Sequence, residues 1–287
     1  VGMQPIDVDK QYHFFNPRAG VSYTLAERNN FYLSFAVAQK EPTRSDFTDR
    51  YKFAADDTYP SSEKLYDWEL GYQYTAPRLS LGVNLYYMKY KDQLVPTGMV
   101  NDDSNALNTN VPDSYRRGVE LSASWRATGW FTVGANATFS QNRIENYVDA
   151  LKDSPTYGKE LGDMTIAYSP DVIANAFLNF HHRGFEAVFH TQHVGKQYFT
   201  NNENDALSLD AYCVTNLNLA YTFRTRSARS VRLGLLINNL FNAEYESNGY
   251  GYSYMDTWSG PAPVRIDEAY YFPQAPLNVL ANVTVKF

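Results

Sequence analysis

The sequence predicts an all-β protein, an antiparallel transmembrane β-barrel, on three observations. Apolar and polar residues alternate along many segments, and those segments reach ten or more residues. The connections between them are alternately very short turns and long polar loops. A period of two indicates a strand with one apolar and one polar face. Crossing a bilayer takes about 9–11 strand residues, whereas strands of soluble sandwiches usually have about 5–6.

The last segment, 277–287, shows the alternation most clearly. Every second residue from Leu277 to Phe287 is apolar, and the residues between them are Asn, Thr or Lys except for Leu280. Taken alone, this segment also fits the last strand of a soluble β-sandwich. The recurrence of the pattern and the loop lengths favour the membrane barrel, because compact soluble domains rarely carry many structureless loops above about 12–15 residues.

The same alternation, followed along the chain, predicts about eleven strands. The predicted strands are 14–25, 31–39, 63–75, 78–95, 113–126, 130–143, 168–182, 185–196, 211–223, 230–240 and 276–287. The predicted short turns are 26–30, 76–77, 127–129 and 183–184, and the predicted long loops are 40–62, 96–112, 144–168, 197–210 and 242–276. Short turns on one rim and long loops on the other are typical of outer-membrane barrels.

An odd strand number has a consequence for domain organisation. Single-chain bacterial barrels have even strand numbers, and an open sheet edge in hydrocarbon leaves backbone groups unpaired. We therefore expect residues 1–287 to form the C-terminal half of a barrel of about 22 strands, the class of plugged transporters. The N-terminal strands and the plug domain are expected to lie outside this chain.

Composition agrees with a barrel and excludes other classes. Mean hydropathy is −0.46, and no stretch offers the roughly 20 apolar residues of a membrane helix. The 24 tyrosines and 17 phenylalanines suit the two aromatic girdles of such a barrel. The single cysteine, Cys213, excludes an internal disulfide, and the net charge of −6 argues against a nucleic-acid partner.

Two sets of motifs carry a resemblance. The run INNLFNAEY at 237–245 lies about 35 residues before a terminal aromatic strand. It resembles the C-terminal signature of TonB-dependent outer-membrane receptors. EPTRSDF at 41–47, KDQLV at 91–95 and TNVPDSYRRGVE at 109–120 resemble the receptors of Bacteroidetes-type bacteria. The signature residues are Asn239, Leu240, Phe241, Asn242, Tyr245 and Phe287. Asparagines at a strand end bond free backbone groups and tolerate left-handed turns, so we expect a structural role.

The resemblance implies active import of a scarce, bulky nutrient across the outer membrane, with no enzymatic activity. It implies a plug domain that rearranges when the TonB–ExbB–ExbD complex pulls on it, and a terminal strand read by the barrel-assembly machinery. An iron–siderophore complex is the expected cargo. Cobalamin, or glycans or peptides delivered with a surface lipoprotein, are the alternatives. Membrane lipid surrounds such a barrel.

Candidate ligand-binding residues lie in the predicted loops. Tyr250, Tyr252, Tyr254 and Trp258 offer aromatic rings on a glycine-rich segment, which suits flat or ring-bearing ligands. A loop that packs on itself is the alternative. Arg44, with Arg50 and Lys52, can hold an anionic chelate, although an ion pair with Asp46 or Asp49 is also expected there.

Metal and cofactor chemistry has weak support in the sequence. Asp102, Asp103 and Asp205 lie in acidic–amide clusters that can ligate Ca²⁺, but both clusters lack EF-hand spacing and fit solvated loops better. None of the five histidines falls in a predicted long loop, which argues against a haem ligand. There is no G-x-S-x-G motif for an outer-membrane hydrolase, and the C-terminal signature argues against a passive porin.

Overall fold

The computed structural model describes residues 9–48, 59–100 and 105–287. In chain order the strands are β1 (Arg18–Leu25), β2 (Asn29–Lys40), β3 (Glu63–Thr75), β4 (Leu79–Val100), β5 (Ala106–Arg126), β6 (Phe131–Ile144), β7 (Met164–Thr165), β8 (Val172–His182), β9 (Phe185–Val194), β10 (Gln197–Tyr198), β11 (Ser208–Leu209), β12 (Tyr212–Phe223), β13 (Ser230–Asn238), β14 (Glu246–Asp256), β15 (Val264–Pro273) and β16 (Asn278–Lys286). The short helix α1 spans Arg44–Thr48, and one 3₁₀ turn spans Asp205–Leu207. In these described ranges, no helix is long and apolar enough to cross a membrane.

One antiparallel sheet dominates the fold. Its order is β1-β2-β3-β4-β5-β6-β8-β9-β12-β13-β16, with β7 added beside β6. The sheet has eleven main strands, as the alternation predicts, and each of them pairs with its neighbours along the chain. Its two edges, β1 and β16, do not pair with each other in the described sheet. The fold is therefore a partial, unclosed barrel wall, which confirms the predicted fold class.

Several predicted boundaries need correction at the rim that carries the long loops. The segment 96–112, predicted as a loop, is mostly strand because β4 and β5 remain paired up to Val100 and Ala106. Buried Val95, Leu107 and Val111 line this extension and give it an apolar side of its own. The first strand begins at Arg18 and not at residue 14, and the carbonyl of Pro17 accepts the last bond from Val37 N.

The outer face of the sheet carries rows of apolar side chains that cross successive strands. One row joins Val21, Leu33, Leu70, Leu85, Val119 and Phe139 through successive register pairs. A lower row joins Trp125, Val133, Leu178, Phe189, Leu217, Ile237 and Val279. Many of these side chains are exposed, Leu33 to 52% and Leu70 to 52%. An apolar surface of this extent is suited to lipid, as on the outside of a membrane barrel.

Two aromatic belts bound this apolar band. At the long-loop side, Phe35, Trp68, Tyr87 and Tyr115 form a chain of ring contacts with centroids 5.2, 5.7 and 6.3 Å apart. At the short-turn side, Trp130, Phe131 and Phe180 stack on one another. On β5, ten residues separate Tyr115 from Trp125, which at a strand tilt near 40° is about 25 Å, the expected height of the lipid-facing band.

The inner face carries polar and small residues. Ser22, Tyr32, Gly71, Asn84, Glu120 and Thr138 share one inner row. Asn84 Nδ2 donates to Glu120 Oε2 at 3.2 Å. Higher on this face, a polar concavity of about 330 Å³ is lined by Glu69, Tyr86, Arg116, Glu120, Asn142 and Ser169. Arg116 Nη1 donates to Ser169 Oγ at 2.9 Å, so a guanidinium reaches under the loops.

The long loops form a packed cap rather than separate coils. Val95, Val111, Ile144, Tyr147 and Ile166 make a buried apolar cluster above the sheet. Burial raises the pKa of Tyr147 to about 12, with the Asp149 carboxylate adding to the effect. These contacts hold the tops of β4, β5 and β6 together with the segment that follows β6.

Buried polar groups join this cap to the segment between β9 and β12. Asn201, fully buried, accepts a bond from Ala167 N at 2.7 Å and donates to the carbonyl of Pro96 at 2.5 Å. Arg143 and Thr165 both donate to the Glu203 carboxylate. Partial burial alone would raise the pKa of Glu203, but these hydrogen bonds and the guanidinium lower it. Polar side chains therefore cross-link three segments of the cap: the upper part of β4, the segment that follows β6 and the segment between β9 and β12.

Candidate ligand-binding surface

The segment 242–276 contains a regular hairpin, so the predicted structureless loop is wrong there. β14 and β15 pair antiparallel from Glu246–Pro273 to Asp256–Val264, with one register irregularity near Glu246. Tyrosine and glycine alternate along β14, and that pattern places rings on one face and leaves the other face nearly flat. Gly249, Gly251 and Ser253 alternate with the tyrosines, so the segment has the composition of a flexible loop although it pairs as a strand.

The flat face of the hairpin packs on the segment between β9 and β12. A Cβ atom at Gly249 would lie 2.7 Å from Phe199 Cζ, and one at Gly251 would lie 2.8 Å from Phe199 Cδ2 and 2.9 Å from Leu207 Cδ2. Phe199 and Leu207 are fully buried. The Tyr271 ring, from β15, lies 5.8 Å from the Phe199 ring. The two glycines thus permit a close docking that holds the hairpin on the cap.

The opposite face of the hairpin presents an aromatic ladder around one carboxylate, which we call the Tyr–Glu268 ladder. It consists of Tyr250, Tyr252, Tyr254, Tyr270 and Glu268. Tyr250 and Tyr270 stack with centroids 4.9 Å apart and planes 13° apart. Tyr252 lies 6.3 Å from Tyr270 and 6.4 Å from Tyr254. Exposed fractions of 46% for Tyr250 and 44% for Tyr270 leave ring surface free for a ligand.

Three phenol hydroxyls converge on the Glu268 carboxylate. Tyr252 Oη and Tyr270 Oη donate to Glu268 Oε2 at 2.7 and 2.8 Å, and Tyr254 Oη donates to Oε1 at 3.0 Å. These hydrogen bonds hold the pKa of Glu268 below its usual range, and the bond from Tyr252 has the largest effect. The same contact with Glu268 raises the pKa of Tyr252 strongly and that of Tyr254 as well. The ladder is an electron-rich, ring-lined surface with one fixed negative charge.

Trp258 lies at the tip between β14 and β15 and is 85% exposed. Asp256 accepts bonds from the backbone N–H groups of Trp258 and Ser259 at 2.9 and 3.2 Å, which fixes the turn. Hydrogen bonds from Ser259 and from these backbone groups lower the pKa of Asp256. The indole therefore projects at the tip, beyond the Tyr–Glu268 ladder.

Arg44 lies apart from the ladder, on α1, and is exposed. The expected ion pair with Asp46 is not formed, because Asp46 is engaged by Thr43 Oγ1 at 2.7 Å and by Asn108 Nδ2 at 2.9 Å. Partial burial alone would raise the pKa of Asp46, but these hydrogen bonds lower it. Asp49, Arg50 and Lys52 lie outside the described residues.

The proposed Ca²⁺ ligands do not come together in the described residues. Asp102 and Asp103 lie outside the described ranges. Asp205 is bonded to Lys196 Nζ, and this contact lowers the pKa of its carboxyl. Across the ranges that the structure covers, no group of three or more His, Cys, Asp or Glu side chains is placed to hold a metal ion.

The signature residues build the exit from β13. Asn239 is 3% exposed and has φ +51°. Its Nδ2 donates to the carbonyls of Ala243 at 2.8 Å and Ala275 at 3.3 Å, and its Oδ1 accepts from Ala243 N at 2.8 Å. Asn242 Oδ1 accepts from Leu277 N at 2.9 Å. These bonds join the start of the loop to its return.

The other signature side chains have different surroundings. Leu240 N donates to the carbonyl of Thr215 at 2.7 Å, and the Tyr245 ring stacks on Tyr212 at 4.7 Å. Phe241 is 76% exposed and Phe287 is 94% exposed. None of the six signature residues belongs to the Tyr–Glu268 ladder.

Sequence reasoning missed the residues that position this surface. Glu268 and Tyr270 lie on β15 and complete the ladder only through cross-strand pairing with Tyr252 and Tyr250. Phe199 and Asn201 lie in the segment 197–210, which the sequence predicts as a long polar loop. The alternating Tyr-Gly-Tyr-Ser-Tyr run at 250–254, followed by Glu-Ala-Tyr-Tyr-Phe at 268–272, was the available signal for a hairpin.

The open sheet, its apolar outer face and its aromatic belts define part of the wall of an outer-membrane β-barrel, and the loop cap covers one rim of that wall. A sequence model described as "TonB dependent receptor-like, beta-barrel" matches residues 4–240. The chain therefore belongs to the TonB-dependent receptor family, whose barrels lie in the outer membrane and are not enzymes.

Solved structures agree at the level of fold. The chain is similar to the ferric yersiniabactin uptake receptor FyuA from Yersinia pestis, with TM-score 0.65 and 19% identity over 94% of this chain and 37% of that chain. It is similar to the ferric-catecholate import receptor Fiu from E. coli K12, with TM-score 0.64 and 20% identity over 93% and 34%. It is also similar to the copper transporter OprC, with TM-score 0.66 and 19% identity over 93% and 39%. The chain spans somewhat over a third of the length of these proteins.

Proposed function

We propose that this chain is the C-terminal portion of a TonB-energised importer and that its cargo is an iron–siderophore complex. The observation that carries the proposal is the family match over residues 4–240, joined to a membrane-type wall with a packed loop cap. Several similar structures are receptors for ferric chelates by their own descriptions, which supports this cargo class.

The partners follow from the same proposal. An N-terminal half of the barrel closes the two open edges β1 and β16, because unpaired strand edges are costly in hydrocarbon. A plug domain lies inside the closed barrel and is pulled by the TonB–ExbB–ExbD complex. The barrel-assembly machinery inserts the protein, and a surface lipoprotein is an optional partner for glycan or peptide cargo.

Cargo contact is proposed for the Tyr–Glu268 ladder, for Trp258 at the tip of the same hairpin and for Arg44 on α1, after β2. Exposed rings provide stacking area for a ring-bearing chelate or ligand. Cobalamin is the second candidate, because a corrin is a large flat ring system that suits the same surface. A passive porin is disfavoured by the family match.

A growth and uptake comparison tests the cargo. A strain that lacks the gene, and the same strain with the gene restored, are given labelled ferric chelates of several types or labelled cobalamin. The siderophore proposal expects iron uptake to fall at least about tenfold on deletion and to return on restoration, since passive entry of such large solutes is slow. Unchanged iron uptake with lost cobalamin uptake would select cobalamin instead.

A further inference from the structure

The two rims of the sheet carry opposite charge. The short-turn rim carries seven arginines, Arg28, Arg78, Arg126, Arg183, Arg224, Arg226 and Arg229, and its turns contain one carboxylate, Glu27. The long-loop rim is acidic: its described segments outside the wall strands contain 17 Asp or Glu residues and six Lys or Arg residues. A split of this size on one sheet sets up different electrostatic surfaces on the two sides of the membrane.

Within the described part of the chain, none of the seven arginines of the short-turn rim is paired with a carboxylate. At the other rim Lys89, Arg143, Lys196 and Arg265 each form an ion pair. Over the ranges that the structure describes, no ion pair or side-chain hydrogen bond involves the guanidinium of any of the seven rim arginines. Their charges are therefore free to bind an external anion.

The densest part of this rim is the turn 224–229 between β12 and β13. Arg224, Arg226 and Arg229 are all exposed there. Thr225 Oγ1 accepts a bond from Ala228 N at 3.0 Å, and Thr225 N donates to the carbonyl of Ala228 at 3.4 Å. This pairing keeps the turn compact, so the three guanidinium groups project from one short loop.

The rim lies next to the lower aromatic belt. Phe223 directly precedes Arg224, and the Tyr221 and Phe223 rings lie 5.9 Å apart on the outer face. Trp130, which directly precedes β6, stacks on Phe180 of β8 in the same belt. Aromatic side chains settle at the membrane interface, so cations just beyond them are placed at the level of the lipid headgroups.

We propose that the short-turn rim binds anionic phospholipid headgroups of the adjoining leaflet. Guanidinium groups make bidentate, charge-assisted hydrogen bonds to phosphate oxygens. The arginines occur in or beside all five short turns. Because the charges extend along the whole rim, they suit lipids that line it, whereas a protein partner would contact a single patch. The phospholipids hold this edge of the wall at the interface.

The test uses the complete receptor in nanodiscs of phosphatidylcholine and phosphatidylglycerol. The ratio of phosphatidylglycerol retained around the protein to that in the bulk bilayer is measured by mass spectrometry of the extracted lipids. We expect enrichment in the unmodified protein that declines with added salt. The triple variant Arg224→Gln, Arg226→Gln, Arg229→Gln should lower the enrichment about threefold or more.

A charge-matched control removes three cations from the other rim, with Arg44→Gln, Lys152→Gln and Lys159→Gln. The proposal expects this control to retain the enrichment of the unmodified protein. Equal enrichment in both triple variants, or no preference for phosphatidylglycerol in the unmodified protein, would overturn it. If the short-turn triple variant does not assemble, the single variants Arg224→Gln, Arg226→Gln and Arg229→Gln take its place, and enrichment that is unchanged in all three would overturn the proposal.

Discussion

At the residue scale, Glu268 is the centre of the proposed ligand surface. One carboxylate accepts hydrogen bonds from Tyr252, Tyr254 and Tyr270, so it fixes three hydroxyls and keeps the rings in a ladder. The rings supply stacking area, and the carboxylate supplies a single negative charge beside them. A neutral or cationic ligand face is therefore better suited to this surface than an anionic one.

The pH dependence of this cluster follows from the two pKa directions. The pKa of Glu268 is lowered, so its contribution to hairpin stability is present above about its ordinary value of 4.5 and is lost as pH falls through the lowered value. The pKa of Tyr252 is raised, so its contribution is complete below its ordinary value of 10.0 and is lost as pH rises through the raised value.

Glu268→Gln tests this coupling. Removal of the negative charge should return the pKa of Tyr252, Tyr254 and Tyr270 toward the ordinary value, because the charged hydrogen-bond acceptor raised them. An absorbance titration of tyrosine in the assembled receptor measures this, with Glu244→Gln as the matched control. Identical titration curves for the two variants would show that the three hydroxyls do not depend on Glu268.

Asn239 tests the structural role proposed for the signature run. Asn239→Ala removes three side-chain hydrogen bonds and puts alanine at φ +51°. We expect a loss of about 2–4 kcal/mol in the free energy of unfolding, measured by urea unfolding of the assembled receptor. Phe241→Ala, at a 76% exposed side chain, should change it by less than about 0.5 kcal/mol. A stable Asn239→Ala protein that has lost cargo binding would instead indicate a ligand role.

At the element scale, the β14–β15 hairpin depends on a close approach to Phe199. A Cβ atom at Gly251 would lie 2.8 Å from the Phe199 ring, 2.9 Å from Leu207 and 3.0 Å from a backbone oxygen. Gly251→Ala should therefore weaken docking by about 1–3 kcal/mol. The measurement is the rate of protease cleavage at the hairpin tip, which should rise in this variant.

Gly260→Ala is the control, because nothing lies within 4 Å of a Cβ atom at Gly260. Gly260 lies in the same hairpin, at the tip between β14 and β15. If Gly251→Ala and Gly260→Ala are cleaved at the same rate as the unmodified protein, the docking on Phe199 does not hold the hairpin. The rings of the ladder would then need another support.

The elements differ in how well the sequence predicts them. β3 has the predicted bounds because apolar and polar residues alternate without a break from Tyr66 to Thr75 and both ends of the strand meet turn or loop residues. β14 and β15 lie in a segment predicted as a loop: the alternation at 250–254 is visible in the sequence, but the buried contacts that hold the hairpin come from Phe199 and Leu207, over 40 residues earlier. The Tyr–Glu268 ladder was predicted in part: the β14 tyrosines alternate visibly, but Glu268 joins them only through the pairing register.

At the scale of the whole molecule, the open sheet edges govern how the chain behaves by itself. The backbone groups of β1 and β16 that face away from the sheet have no strand partner in the described residues. In hydrocarbon, each unpaired group costs several kcal/mol. The proposed N-terminal half of the barrel would supply these partners.

Residues 1–287 expressed alone should therefore aggregate, and co-expression with the N-terminal half should restore a folded barrel. The measurement is the heat-dependent shift in gel mobility that folded barrels show in detergent, together with sedimentation. A stable, monomeric, detergent-soluble closed barrel made from residues 1–287 alone would contradict the half-barrel proposal.

Energised import is the central claim, and its requirement for TonB is the most direct measurement. Uptake of a labelled iron–siderophore complex through the complete receptor is compared in cells with and without TonB. The proposal predicts uptake that is saturable at low cargo concentration and that is abolished in cells without TonB, although cargo still binds at the surface. Uptake that continues at the same rate without TonB would contradict it and would identify the barrel as a passive pore.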